Sequence, residues 1–154
     1  MKKIIALLSL GSVMLTAGAA QAQITPTNQY SYIGVAGNIG LTDPDRSVAD
    51  DGVTVISKIA ILNNLSFRPG VNFGGDTSVT LPITYDFGGR GRVKPYVGGG
   101  IVTDSGDTDF LATGGFDYRF SRDFVGNVGL NVGFSDDADV GLTLGVGYVF
   151  PRNR

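Results

Sequence analysis

The sequence contains no cysteine, no histidine and no glutamate. Without cysteine, an oxidising compartment is permitted but no disulfide can supply stability there. Histidine is the commonest general base and transition-metal ligand, so hydrolase and acyl-transfer chemistry loses its usual centre, as do most zinc sites. The chain is therefore expected to be non-enzymatic and to use no cofactor. Its charge is sparse as well, at 17% of residues. Twelve basic residues stand against 14 acidic ones, which gives no support to a nucleic-acid partner. Long apolar runs are missing too. Residues 4–15 are apolar but too short to cross a bilayer as a helix, and no later run approaches the roughly 18 residues that would.

What is present begins with a basic Met1-Lys2-Lys3, that apolar stretch, and a small-x-small site at Ala20-Gln21-Ala22. This is the pattern of a secretory signal peptide cleaved after Ala22, with Ala20 and Ala22 as the small residues of the cleavage site. The expected organisation is a signal peptide at 1–22, a short segment at 23–29, one β-domain at 30–150 and a tail at 151–154.

Beyond Gln29 the chain alternates with period two, is rich in glycine, with 24 residues in the whole sequence, and offers no convincing amphipathic helix. Eight strands are predicted, at 30–41, 53–62, 65–73, 77–87, 93–103, 109–120, 123–134 and 139–150. Short connectors such as Asn63-Asn64, Gly74-Gly75-Asp76, Gly88-Gly89 and Ser105-Gly106-Asp107 consist of residues that tolerate tight turns. Only 42–52 is long. A run of hairpins leaves no room for crossover helices, and eight such strands can close on themselves and abolish their edges.

The two faces of these strands differ sharply. One carries Ile33, Val35, Val53, Ile59, Ile61, Phe73, Ile83, Phe110, Phe124, Leu130 and Phe134; the other carries glycine, asparagine, threonine and the charges. An eight-stranded barrel has an interior that side chains just fill, so the bulky set cannot all face inward. Apolar-out and polar-in is the pattern of a barrel in an outer membrane. Outward aromatics fall near strand ends, Tyr85, Phe87, Tyr118, Phe120, Phe124, Tyr148 and Phe150 at one and Phe73, Phe110 and Phe134 at the other, as interfacial girdles do.

The inward set places Lys58, Arg68, Asp86, Lys94, Tyr96, Asp117 and Arg119 in the lumen. All of these charges but Lys58 and Arg68 are expected toward the periplasmic half, and the lumenal charges are expected to pair, because a bare ion in a narrow lumen costs several kcal/mol. Arg68, Lys94 and Arg119 are expected at the constriction, with any conductance small. Pro69, Pro82 and Pro95 each remove a ladder donor, which local bulges could absorb, and the sequence leaves open whether bulges form. Most aspartates map to the opposite, extracellular rim, where they could gather divalent cations; Asp104, Asp107 and Asp109 form a faint calcium-like run that lacks the proper spacing. Solvated turn residues are the simpler reading, and no dedicated metal site is expected.

The last strand runs from Thr143 through Gly145 to Tyr148 and Phe150. It resembles the C-terminal insertion signal of bacterial outer-membrane barrels, which ends in an aromatic residue. With Tyr32-Ile33-Gly34-Val35 and Pro95-Tyr96-Val97-Gly98-Gly99-Gly100, the whole of 30–150 resembles the small eight-stranded outer-membrane family of OmpA-type, OmpX-type and opacity-type barrels. That resemblance implies an all-β, eight-stranded antiparallel up-and-down transmembrane barrel, exported behind a signal peptide to the bacterial outer membrane. It also implies outer-membrane lipids and the barrel assembly machinery as partners. The function it implies is structural or that of a narrow passive pore, the alternative being a surface adhesion module working through acidic extracellular loops.

Overall fold

In a computed structural model, the described residues are 30–42, 48–87, 91–135 and 137–150. The expected signal peptide with Ala20 and Ala22, the 23–29 segment and the 151–154 tail lie outside them. The described chain is all β: β1 Tyr32–Gly40, β2 Gly52–Leu62, β3 Leu65–Phe67, β4 Gly70–Phe73, β5 Thr77–Asp86, β6 Val93–Asp104, β7 Asp107–Arg119, β8 Phe124–Phe134 and β9 Ala138–Val149. All pairings are antiparallel, and β1 pairs with both β2 and β9. The sheet is therefore closed. Because β3 and β4 both lie between β2 and β5, they are two halves of one stave, and the barrel has eight.

The break within that stave corrects the expectation of one unbroken strand and answers the question of bulges. The strand predicted at 65–73 is interrupted at Arg68-Pro69, yet no bulge forms there. Phe67 pairs with Ile83 and Gly70 with Thr80, so Arg68 and Pro69 stand opposite Pro82 and Leu81 with no residue inserted. The ladder to β2 also keeps step, from Ile59↔Phe67 to Ile56↔Gly70. Each proline simply omits a donor, and local bonds hold the wall together: Arg68 N–H donates to the Pro82 carbonyl at 3.0 Å, and Ser57 Oγ donates to the Pro69 carbonyl at 2.6 Å. Pro95 sits just past the last rung between β5 and β6, where its carbonyl accepts from Phe87 N–H at 2.9 Å. The one register shift on this side lies between Ala60 and Leu62, beside the Asn63-Asn64 turn.

Register also fixes the tilt. Stepping rung by rung from Tyr32 through Lys58, Arg68, Pro82, Gly100, Leu111, Gly133 and Asp139 returns to the first stave at Thr42, ten residues further on. At ~3.3 Å per residue and ~4.8 Å between strands, that stagger tilts eight strands by roughly 40°.

The faces fall as the alternation predicts. Ile33, Val35, Val53, Ile61, Phe73, Ile83, Phe110, Phe124, Phe134 and Val146 are exposed, while Ala36, Asn38, Thr54, Lys58, Ser66, Asn72, Thr84, Asp86, Thr113, Asp117 and Asn127 are buried. Paired outward aromatics meet edge-on at the end where the chain enters and leaves the barrel: Tyr85 with Phe87, Phe124 with Tyr148, and Tyr148 with Phe150. Tyr118 departs from the pattern. It is only 3% exposed, lying edge-on to Phe120 and opposite Gly126, which offers no side chain to push it outward.

Candidate functional site: the closed lumen

The lumen is filled in layers, and the central one is ionic. Arg68 Nη2 donates to Asp86 Oδ1 at 2.9 Å and to Asp117 Oδ2 at 2.8 Å. Lys58 Nζ lies 3.5 Å from Asp86 and 3.9 Å from Asp117. Two cations and two anions thus cancel in a group that is almost wholly buried, Lys58 and Asp117 both at 0% exposure. A bare ion in such a place would cost several kcal/mol, and the remaining valences are accordingly filled. Tyr30, Tyr32 and Asn127 donate to Asp117 at 3.0, 2.9 and 2.9 Å. Ser66 donates to Asp86, and Arg68 Nε donates to Thr84 at 2.9 Å. The Arg68 guanidinium lies 3.7 Å from the centre of the Tyr96 ring, and the Lys58 ammonium the same distance from Tyr30.

These groups come from staves all around the barrel, from Tyr32 on β1 to Asn127 on β8, and they cross the full width of the lumen. The charges pair as expected, but Lys58 and Arg68, expected outside the periplasmic half, lie at the same height as Asp86 and Asp117 and meet them directly. The strand tilt explains the difference, because residues at one height in a staggered barrel are not those on one rung. Lys94 and Arg119 are the converse correction. Arg119 stays outside the ionic layer, with its guanidinium 4.9 Å from the Tyr30 ring and with Nη2 donating to the Arg122 carbonyl at 2.7 Å. Lys94 is buried beside Asp117 in the ladder but contributes none of the layer's four ion pairs.

Toward the opposite end lies a neutral layer of carboxamides and hydroxyls. Thr113 donates to Asn131 at 2.8 Å, Asn131 to Thr143 at 3.1 Å, and Thr143 to Asn38 at 3.1 Å, while Thr54 donates to Asn72 at 2.9 Å. Cavities of about 60 Å³ and 30 Å³ lie among these side chains, each with room for a few waters.

Above them residues 48–51, which lead into β2, turn into the barrel mouth. Val48 is 4% exposed and Ala49 0%, and Val48 packs with Val102 and Leu111. Asn38 Nδ2 donates to the carbonyls of Val48 at 3.0 Å and Asp50 at 2.7 Å, and Asn72 Nδ2 donates to the Asp50 carbonyl at 3.2 Å. The cap approaches so closely that a Cβ on Gly40 would strike the Ala49 carbonyl and one on Gly141 the Val48 carbonyl. Asp50 and Asp51 are therefore structural. Asp50 accepts from Asp76 N–H at 3.1 Å, and Asp51 accepts from Gly40 N–H at 2.8 Å.

Strand alternation does not announce this cap. Its sequence signal is Val48-Ala49, two apolar residues inside a stretch otherwise typical of a solvated loop, with asparagines at lumen positions 38 and 72. At the expected insertion signal, Thr143 and Gly145 turn inward and Tyr148 and Phe150 outward. Among the described residues, no three potential ligands converge on a metal-sized space; Asp104, Asp107 and Asp109 are spread along the β6–β7 hairpin.

No protein-family model and no curated protein matches the chain. Solved structures do match it. The N-terminal β-barrel domain of Pseudomonas aeruginosa OprF aligns with TM-score 0.65 at 17% identity, over 81% of this chain and 100% of that one. A de novo designed transmembrane β-barrel aligns with TM-score 0.62 at 14% identity, over 82% and 100%. The attachment invasion locus protein Ail of Yersinia pestis aligns with TM-score 0.54 at 17% identity, over 79% and 97%. The chain has the fold of the small eight-stranded transmembrane β-barrels. Within that barrel fold, the ionic layer and the neutral layer fill much of the lumen with side chains of the wall.

Proposed function

We propose that the chain is a non-enzymatic outer-membrane barrel with a structural role, closed to solutes. The observation that carries this reading is the ionic layer of Lys58, Arg68, Asp86 and Asp117, whose charges cancel and whose partners are side chains of the wall itself. A conducting lumen needs sites that an ion can enter and leave. Here the places an ion would occupy are already taken by fixed counter-charges, and the capped mouth adds a second obstruction.

Insertion in the outer membrane is supported by the apolar outer face, the aromatic pairs near the strand ends and the nature of the solved barrels it is similar to. The end holding the chain termini then faces the periplasm, and the Val48 cap faces outward. Of the two roles expected from sequence, the matched charges favour the structural one over the narrow pore. An adhesive role would need extended outer loops, and the outer connectors after β4 and β6 span only Gly74–Asp76 and Ser105–Gly106.

Cell fractionation and flux measurements test this together. The protein should sediment with the outer membrane, and vesicles containing the refolded barrel should retain chloride, potassium and sugars as tightly as empty vesicles. Rapid release of chloride or potassium from those vesicles would sink the closed-barrel reading, and recovery in the soluble fraction would sink the location.

A further inference from the structure

The end of the lumen that holds the chain termini brings cations together. Arg92 and Arg119 stand directly opposite one another, since Arg119 N–H donates to the Arg92 carbonyl at 3.0 Å and the next rung pairs Val93 with Tyr118. Opposed residues share a face of the sheet, with Cβ atoms roughly 5 Å apart. Arg119 lies over the Tyr30 ring, which closes the ionic layer from this side, so both side chains face the lumen mouth. Lys94 follows on the same face one inward position further along β6, and Arg122 lies in the adjoining turn.

Like charges this close repel, and proteins do not ordinarily assemble them without a reason. None of Arg92, Arg119 and Arg122 enters an ion pair among the described residues, and the nearby Asp123 pairs with none of them. Some of their donors are satisfied by backbone: Arg92 Nη1 reaches the Phe120 carbonyl at 3.2 Å, and Arg119 Nη2 the Arg122 carbonyl. The Nε–H groups of Arg92 and Arg119 are both buried and lack any acceptor among the described residues. A buried donor left empty is rare and costly, and two on neighbouring arginines point to an acceptor supplied from outside the described residues. Guanidinium groups match an oxyanion that can accept several N–H bonds at once.

We infer that this mouth is a binding site for a phosphate-type oxyanion, held chiefly by Arg92 and Arg119, with Lys94 adding charge. The phosphate can be a free anion or the head group of an anionic lipid whose glycerol end reaches the barrel rim. The site is separate from the ionic layer, so it does not depend on whether the barrel conducts.

The test follows thermal unfolding of the refolded chain in maltoside micelles, titrated with inorganic phosphate at constant ionic strength against chloride. In parallel, unfolding is followed in phosphatidylcholine vesicles with and without phosphatidylglycerol. Phosphate should raise Tm in micelles if the free anion is the ligand. If only phosphatidylglycerol raises it, the ligand is the lipid head group. In either arm Arg92→Gln with Arg119→Gln should weaken apparent affinity by about tenfold or more, the loss expected on removing charge-assisted bonds. Arg119→Lys, which keeps the charge but removes Nε, should give a smaller loss and guards against a double variant that fails to fold. The inference is overturned if wild type responds to neither phosphate nor phosphatidylglycerol beyond its controls, or if the variants respond as wild type does.

Discussion

Asp117 is the residue on which the lumen turns. Itself at 0% exposure, it accepts from Tyr30, Tyr32, Asn127 and Arg68 and lies 3.9 Å from Lys58. Asp117→Asn keeps the shape and removes one charge, leaving two buried cations facing Asp86 alone. Removing one partner of a buried pair typically costs about 3–5 kcal/mol, and urea unfolding in lipid vesicles should show a loss of that order. A loss under about 1 kcal/mol would mean that water reaches the layer freely. On the outer face the logic reverses. Leu130 is 42% exposed toward the position of lipid, and Leu130→Arg should cost about 2–4 kcal/mol in the same assay, whereas an arginine in place of Thr113 would be limited by crowding in the lumen. The lumen composition of Lys58, Arg68, Asp86, Tyr96 and Asp117 was legible in the sequence, because period two assigns each residue a face. Which charges touch was not. Contact depends on the stagger accumulated around eight staves, and no single strand carries that information.

Among the elements, the stave between β2 and β5 is broken at Arg68-Pro69. Pro69 and Pro82 leave the ladder short of donors, and Ser57 Oγ is the substitute on one side. Ser57→Ala should therefore cost about 0.5–1.5 kcal/mol by urea unfolding and should speed amide exchange in β4 more than in β8. Equal exchange in both strands would show that the prolines do not weaken the wall locally. The sequence signalled the prolines and suggested bulges, but the pairing of Phe67 with Ile83 and Gly70 with Thr80 shows the register running straight through. A proline that only omits a bond leaves the count unchanged, and the hydrophobic alternation on both sides resists a one-residue slip that would turn Val71 and Phe73 into the lumen. The β1–β2 connector shows the opposite limit of sequence reading. Its length was visible, but its docking rests on Gly40 and Gly141 leaving room for the Ala49 and Val48 carbonyls, and the second of these contacts joins segments far apart in the chain. Gly141→Val should expel the cap, and the gain of accessibility is measurable by thiol labelling of a Val48→Cys variant. Labelling should be slow while Gly141 is kept and fast once Gly141→Val is added.

For the whole molecule, the closed sheet, the apolar outside and the polar inside all follow from alternation and the narrowness of eight strands. The charges sort along the axis, with Asp50, Asp51, Asp76, Asp104, Asp107 and Asp109 near the capped end, Arg92, Arg119 and Arg122 near the other, and the neutralised layer between. Whether this layer seals the lumen is read by single-channel recording of the refolded barrel in planar bilayers. Wild type should give no unitary current steps, while Arg68→Ala, which opens the layer and leaves an excess of carboxylate, should give small cation-preferring steps once the cap is also expelled by Gly141→Val. Regular current steps from wild type, unchanged in size and selectivity by those substitutions, would contradict the closed-barrel reading.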